Sequence, residues 1–149
     1  MKHHNSKYSG QFPIWTIIEL FSFSSLSKFY ADLPLYSQKH LAKTFYQCHQ
    51  NDLSSWLYRC TILRNICAHF GRLYYRNFSA IPTGIPALDN TNNRSLFGAI
   101  MTLKSLYTDA FKWNNEVFAF IKKIISEYNA DIQLSHIGFP ADWEVKFKK

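Results

Sequence analysis

The chain has 149 residues, of which 47% are hydrophobic and 17% aromatic, and its formal net charge is +7. Its hydrophobic fraction excludes a largely disordered chain, and its length is that of one domain with a substantial core. The positive charge favours a polyanionic partner, with nucleic acid first and an anionic membrane surface second.

Helical periodicity runs through the first half of the chain. Apolar residues recur at i, i+3, i+4 and i+7 after Pro13, a residue suited to the first turn of a helix. The Ser-rich stretch SFSSLS predicts a break before the second helix, and Pro34 ends that helix. Ser37 is the predicted cap of the third helix, and Asn51 or Asp52 that of the fourth. The predicted helices cover about 13–21, 26–33, 37–49 and 52–76.

The second half opens with a long loop, about 79–93, that is rich in Pro, Gly, Asn and Thr. Two further helices are predicted, Leu96 to Leu106 and Val117 to Tyr128. The C-terminal tail is predicted to be irregular, with Phe139 and Trp143 anchored against the core. Because no segment alternates with period two, we expect residues 1–149 to form one all-α helical-bundle domain.

Three cysteines, Cys48, Cys60 and Cys67, form no C-x-x-C pair. We therefore expect reduced, mostly buried thiols, no disulfide framework and no zinc ribbon. The N-terminal block MKHHNSKYSG lacks the apolar stretch of a signal peptide, and its two adjacent histidines have no third metal ligand. The most apolar run, PIWTIIELFSF, is short for a membrane span and includes Glu19. A cytoplasmic protein with no membrane association, metal or cofactor is expected.

The predicted fourth helix has two contrasting faces. On a continuous helix an apolar stripe and a polar stripe lie roughly opposite each other, with Arg64 at the edge of the polar one. The apolar stripe comprises Leu63, Ile66, Cys67, Phe70 and Tyr74. The polar stripe comprises Asn65, His69, Arg72 and Arg76. We expect the aromatic residues Trp56, Tyr58, Phe70 and Phe118 to lie in the core. The polar face is either a solvated surface or a site that binds anions.

The segment LRNICAHFGRL resembles the signature of the HEPN superfamily. The ribonucleases of that superfamily share an Arg, a polar residue directly after it, and a His four to six residues beyond the Arg. Arg64, Asn65 and His69 match those three positions. The R-x-x-x-x-H spacing alone discriminates poorly, because a chain with this many arginines and histidines matches it readily by chance.

Three separated blocks resemble the abortive-infection phage-resistance family (AbiD/AbiF-like proteins). They are FPIWTIIELFSFSSLSKFY (12–30), WLYRCTILRNICAHFGRLYYR (56–76) and HIGFPADW (136–143). In that family a P-[IL]-W helix and L-S-K-[FL]-Y precede R-N-x-x-A-H-x-x-R-L, and G-F-P-x-x-W follows near the end. The family usually carries a Trp-Asn pair after R-L, where this chain has LYYRN. Family members are typically about twice as long, so the resemblance implies that an N-terminal family region is missing here.

The resemblance implies a HEPN-type fold and a metal-independent endoribonuclease. In that reading His69 is the general acid or base, Arg64 stabilises the phosphate, and Asn65 orients the reacting groups. Arg and His five residues apart point about 140° apart on one helix. HEPN ribonucleases pair two such helices across a dimer, so a homodimer with its site on the two-fold axis is implied.

The implied substrate is RNA, although the sequence does not identify which RNA or any antitoxin. Further backbone or base contacts are expected from Arg72, Arg76, Tyr74 and Tyr75. The alternatives are a non-catalytic helical RNA-binding module and a dimerisation module. Acidic residues form no tight cluster and no Gly-rich phosphate loop occurs, so a two-metal nuclease and a P-loop enzyme are not indicated.

Overall fold

The computed structural model describes residues 13–149, and the block MKHHNSKYSG with its paired histidines lies outside them. A π-helix, Trp113–Phe118, and a 3-10 helix, Leu134–Ile137, lie among the α-helices of the second half of the chain. Residues 13–149 contain no strand, which confirms the all-α prediction. Within the same residues, no helix combines the length and the apolar character needed to cross a membrane. The α-helices are α1 (Ile14–Leu20), α2 (Phe23–Asp32), α3 (Leu35–Tyr46), α4 (Gln50–Ala68), α5 (Leu96–Leu106), α6 (Ala110–Lys112), α7 (Ala119–Glu127) and α8 (Trp143–Phe147).

Several helices begin at different residues from those predicted. The Ser-rich stretch is not a break, because the Ser22 side chain accepts a hydrogen bond from the Ser25 amide and caps α2. Helix α3 starts directly after Pro34, without the predicted cap at Ser37. Helix α4 is capped by His49, whose Nδ1 accepts from the Asn51 amide at 3.3 Å. Helix α5 has the predicted bounds, with Ser95 as its capping side chain.

The core has two clusters of buried side chains. The first joins α2, α3 and α4 through Tyr30, Ala42, Leu53 and Trp56. The second joins α5 to the C-terminal segment through Phe97, Met101, Ile137, Phe139, Trp143 and Phe147. Ile85, in the loop between α4 and α5, packs against both clusters. That loop is therefore part of the interior packing and not only a surface connection.

The C-terminal tail is more regular than predicted. Gly138 has a φ of 79°, a left-handed conformation that glycine adopts without a steric penalty, and it ends the 3-10 helix. The turn directs Phe139 and Trp143 into the second core cluster, where both are 7% exposed. The predicted anchoring role of these two residues is confirmed. The prediction of an irregular tail from His136 onwards is wrong for residues 136–137, which end the 3-10 helix, and for residues 143–147, which form α8.

The largest difference from the prediction lies at the end of α4. The helix ends at Ala68 and does not continue to Arg76. The amide of Phe70 donates to the Cys67 carbonyl at 3.1 Å and that of Gly71 to the Ile66 carbonyl at 2.8 Å, the hydrogen bonds of a Schellman motif. Phe70 occupies the left-handed position of the motif with a φ of 53°.

Several predicted burials are wrong. Phe70 is 99% exposed, and Tyr58, on the outer face of α4, is 56% exposed, so neither is a core residue. Trp56 is buried as predicted, and Phe118 packs against the second cluster. Of the three cysteines, which are unpaired, Cys60 is buried, Cys48 half-buried and Cys67 exposed. The apolar stripe therefore does not extend past Ile66.

The segment between α4 and α5 has no regular helix, yet buried contacts fix its course. Arg59, which is 0% exposed, donates from Nη2 to the Ser95 carbonyl at 2.9 Å and from Nη1 to the Ala80 carbonyl. Its guanidinium lies 4.1 Å from the centre of the buried Phe78 ring. The Trp56 indole donates to the Thr83 carbonyl at 2.7 Å. These contacts hold the connection against α4, which matters because the segment carries Arg76 and Arg94.

Candidate functional site

Three of the predicted site residues meet around one shallow pocket at the end of α4. Asn65, His69 and Arg76 line it together with Ile66 and Gly71, and its volume is about 280 Å³. His69 is the residue that caps α4, and its amide donates to the Asn65 carbonyl at 3.1 Å. Because the chain reverses at Phe70, Arg76 returns towards the helix that carries His69. A continuous helix would have placed Arg76 about two turns further along the axis.

Arg64 lies beside this pocket and does not line it. Its Nη1 donates to the Asn65 Oδ1 at 3.2 Å, so the amide of Asn65 links Arg64 to the pocket. The side chain of Arg64 is exposed. One chain thus presents His69 and Arg76 at the pocket and Arg64 at its edge. Arg72, also predicted as a contact residue, is exposed and does not line the pocket either.

The two tyrosines of LYYRN occupy different environments. Tyr74 is half-buried against the second core cluster. Its hydroxyl hydrogen-bonds with the His136 Nδ1 at 3.1 Å and accepts from the Gln133 amide at 3.1 Å. Tyr75 is 59% exposed, with a φ of 58°, and its ring stacks on His136 at a centroid distance of 4.4 Å. Tyr74 therefore positions the His136 ring, whereas Tyr75 presents ring surface to solvent.

A second pocket, of about 290 Å³, adjoins the first. Tyr75, Arg76, Asn77, Arg94 and His136 are among the residues that line it. Arg76 lines both pockets and so makes them neighbours. The sequence-based reasoning missed Arg94 and His136 as site residues. The block HIGFPADW was the available signal for His136, but Arg94 follows a polar loop with no distinguishing pattern.

The basic side chains of both pockets form no salt bridge with an acidic side chain of the described residues. Between residues 13 and 149 the salt bridges are Lys122–Glu144 and Lys146–Asp142, and neither involves an arginine. No group of three or more His, Cys, Asp or Glu side chains in that range could hold a metal ion. The arrangement suits proton transfer by an imidazole and stabilisation of an anion by guanidinium groups.

The fold and the site together describe one class of protein. It is an all-α protein in which an Arg-Asn pair and a His lie at the exposed C-terminal end of a long helix, here α4. A family model described as Abi-like protein matches residues 1–75, which is half of the chain. The chain therefore belongs to the Abi-like protein family, which confirms the predicted abortive-infection assignment and points to phage resistance as its role. The match includes the P-I-W block and the R-N-x-x-A-H motif up to Tyr75. No curated protein and no solved structure matches the chain significantly.

Proposed function

We propose that this chain is a metal-independent endoribonuclease that acts in the cytoplasm during phage defence. The observation that carries the proposal is the pocket in which Asn65, His69 and Arg76 meet at the exposed end of α4. The HEPN-like motif of the sequence falls on this pocket and its edge. No acidic side chain of the described residues lines the pocket, so nothing there neutralises the positive charge that a phosphate would meet.

RNA supplies its own nucleophile, and this limits what the protein must do. The 2′-OH attacks the adjacent phosphorus, a new P–O bond forms, and the bond to the 5′-oxygen breaks. The products are a 2′,3′-cyclic phosphate and a 5′-OH. One group must accept the proton of the 2′-OH and another must protonate the leaving 5′-oxygen, while a cation stabilises the phosphorane. His69 suits either proton transfer, and Arg64 suits the phosphate because guanidinium binds its oxygens bidentately.

A homodimer would supply the second imidazole that one chain lacks. The pocket contains one imidazole, and Arg64 lies at its edge and not in its lining. Two copies related by a two-fold axis would provide two imidazoles and two Arg64 side chains. Phe70, directly after His69, is 99% exposed. A two-fold axis beside His69 would place this ring at the contact between the two chains.

The test is cleavage of single-stranded RNA by the purified protein in excess EDTA. We expect 2′,3′-cyclic phosphate ends, and a rate reduced about 100-fold or more in His69→Ala and Arg64→Ala, the usual scale for losing acid–base catalysis or an electrostatic contact. His40→Ala and Lys43→Ala, on the exposed part of α3, are matched controls that should cleave normally. Unchanged cleavage in both site variants would exclude the mechanism.

Mixing the two inactive variants tests the dimer. If Arg64 of one chain acts with His69 of the other, a wild-type dimer has two such pairs in the shared cleft, and a mixed dimer keeps one of them intact. Random exchange makes half of the dimers mixed. Activity should then return to about a quarter of the wild-type value. No recovery in a mixture shown to exchange subunits would assign Arg64 and His69 of each site to the same chain.

The competing function is RNA binding without cleavage. The second pocket, with Arg76, Arg94 and the exposed Tyr75, is the observation that favours it. Salt-sensitive RNA binding with no cyclic phosphate product, over a panel of single-stranded and structured RNAs, would support that function and refute the ribonuclease proposal.

A further inference from the structure

The second pocket has the chemistry of a phosphate site beside an aromatic platform. It lies between the turn that follows α4, the loop that precedes α5, and the 3-10 helix that carries His136. Its volume of about 290 Å³ is at the lower end of the range for small-ligand pockets, roughly 300–1,000 Å³. A group the size of one nucleotide suits this volume better than a folded partner does.

Two arginines supply the positive charge of the pocket. Arg76 and Arg94 both line it, and no acidic side chain of residues 13–149 does so. Arg94 is exposed, and its Nη1 makes only long hydrogen bonds, 3.5 Å to the Phe78 carbonyl and 3.4 Å to the Ser79 carbonyl. Most of its five N–H donors are therefore available to a ligand. A pair of guanidinium groups on one cavity matches the oxygens of a phosphodiester.

Tyr75 supplies a flat surface beside the arginines. One face of its ring stacks on His136 at 4.4 Å with the planes 30° apart, and the edge-on ring of Tyr74 lies 5.1 Å away. The side chain is nevertheless 59% exposed, so ring surface remains for stacking. The left-handed φ of 58° at Tyr75 is costly for an aromatic residue, and such conformations cluster at ligand sites. The Tyr74 hydroxyl and His136 hold this strained residue in place.

We propose that the second pocket binds a neighbouring nucleotide of the RNA strand, with its phosphate between Arg76 and Arg94 and its base on Tyr75. Arg76 lines both this pocket and the candidate active site. The nucleotide in the second pocket and the cleaved phosphate would therefore be neighbours on one RNA strand. That this RNA is a substrate rests on the proposed ribonuclease function, whereas RNA binding by the second pocket does not. Base stacking on an aromatic ring tolerates any base, so the subsite adds affinity with little sequence preference.

The experiment measures binding separately from cleavage. A fluorescein-labelled 12-nucleotide single-stranded RNA is titrated by anisotropy in EDTA, with His69→Ala in every protein so that the RNA stays intact. We expect Arg94→Gln to weaken binding about tenfold and to reduce the slope of log K against log salt by about one. Tyr75→Ala should weaken binding about tenfold, and Tyr75→Phe should bind like the parent because it keeps the ring.

Controls separate the subsite from net charge and from folding. Lys28→Gln, on the exposed side of α2, removes one positive charge away from the pocket and should bind like the parent. Arg94→Gln keeps hydrogen-bond donors for the Phe78 and Ser79 carbonyls, and thermal unfolding checks that it folds. If it does not fold, the Tyr75→Ala and Tyr75→Phe pair decides the question.

The outcomes separate the two proposals. Parental affinity in both Arg94→Gln and Tyr75→Ala would overturn the subsite, whether or not the wild-type protein cleaves RNA. Loss of affinity in both, with no cleavage by the wild-type protein, would keep the subsite and overturn the ribonuclease function. Competition by poly-glutamate as effective as that by unlabelled RNA would show a general anion site and overturn the nucleotide assignment.

Discussion

Replacing the buried Arg59 should destabilise the protein more than any change in the candidate site. Its guanidinium donates to the carbonyls of Ala80 and Ser95 and lies against the Phe78 ring, so one side chain holds the middle and the C-terminal end of the loop between α4 and α5. The same burial has a cost, because desolvation lowers the pKa of Arg59 to about 10. Among the described residues its Nε has no hydrogen-bond partner.

The size of the effect follows from these contacts. Hydrogen bonds from a charged donor contribute roughly 1.5–3 kcal/mol each, and a partly desolvated cation–π contact about 1 kcal/mol. Part of this gain is offset by the desolvation that lowers the pKa. Arg59→Ala also leaves a cavity and two carbonyls without donors, so we expect a loss of about 3–5 kcal/mol. Arg59→Met removes the charge and fills much of the space, so about 1–3 kcal/mol should be lost.

Urea unfolding followed by circular dichroism measures both variants. With a slope of about 1–3 kcal/mol per molar urea, Arg59→Ala should lower the unfolding midpoint by roughly 1–5 M. Limited proteolysis should cut residues 69–95 of Arg59→Ala faster than those of Arg59→Met. A loss below about 1 kcal/mol in Arg59→Ala, or a larger loss in Arg59→Met, would show that the guanidinium does not hold the loop.

Two further predictions concern Cys67 and Phe70. Iodoacetamide at pH 8 should label the exposed Cys67 first and Cys60 only after unfolding, because Cys60 is buried and its pKa is raised to about 11, which leaves it protonated. Peptide mass spectrometry reads the order, and fast labelling of Cys60 in the native state would contradict the packing of α4. Phe70→Gly should stabilise the monomer by about 1 kcal/mol in urea unfolding, since it relieves a left-handed φ of 53° and removes a ring that is 99% exposed. If the Phe70 ring lies in the dimer interface, sedimentation should also show weaker association of Phe70→Gly. A destabilised Phe70→Gly monomer would refute the left-handed conformation assigned to Phe70.

The fold could be predicted from the sequence where burial sets the pattern. Helix α5 has the predicted bounds because many of its residues are buried and the Ser95 side chain caps it. The first residues of α2 and α3 differ from the predicted ones, because a run of serines and a proline can each either interrupt a helix or begin one. The anchors Phe139 and Trp143 were recognisable because large aromatic side chains gain the most from burial, and both are 7% exposed.

The site could be predicted only in part, because the turn at Phe70 that ends α4 was not predicted. Asn65 and His69 were identified from their motif, but the predicted stripe placed Arg76 on the same helix. Gly71 was the signal for an earlier end, since glycine near the end of a helical pattern favours a C-terminal cap. The expected place for a glycine in the left-handed conformation is one residue earlier, where this chain has Phe70. Arg94 and His136 come from distant segments, so no local pattern could place them beside Tyr75.

The turn also explains why the site has a defined shape. Phe70 and Tyr75 both adopt left-handed backbone conformations, at a cost of roughly 1–2 kcal/mol each. Surrounding contacts must outweigh that cost: the two Schellman hydrogen bonds at Phe70, and the Tyr74–His136 contact beside Tyr75. The result is a short segment that leaves the helix at His69 and returns with Arg76 facing the same pocket. A straight helix would have spread these two side chains along its length, whereas the reversed chain brings an imidazole and a guanidinium to one pocket.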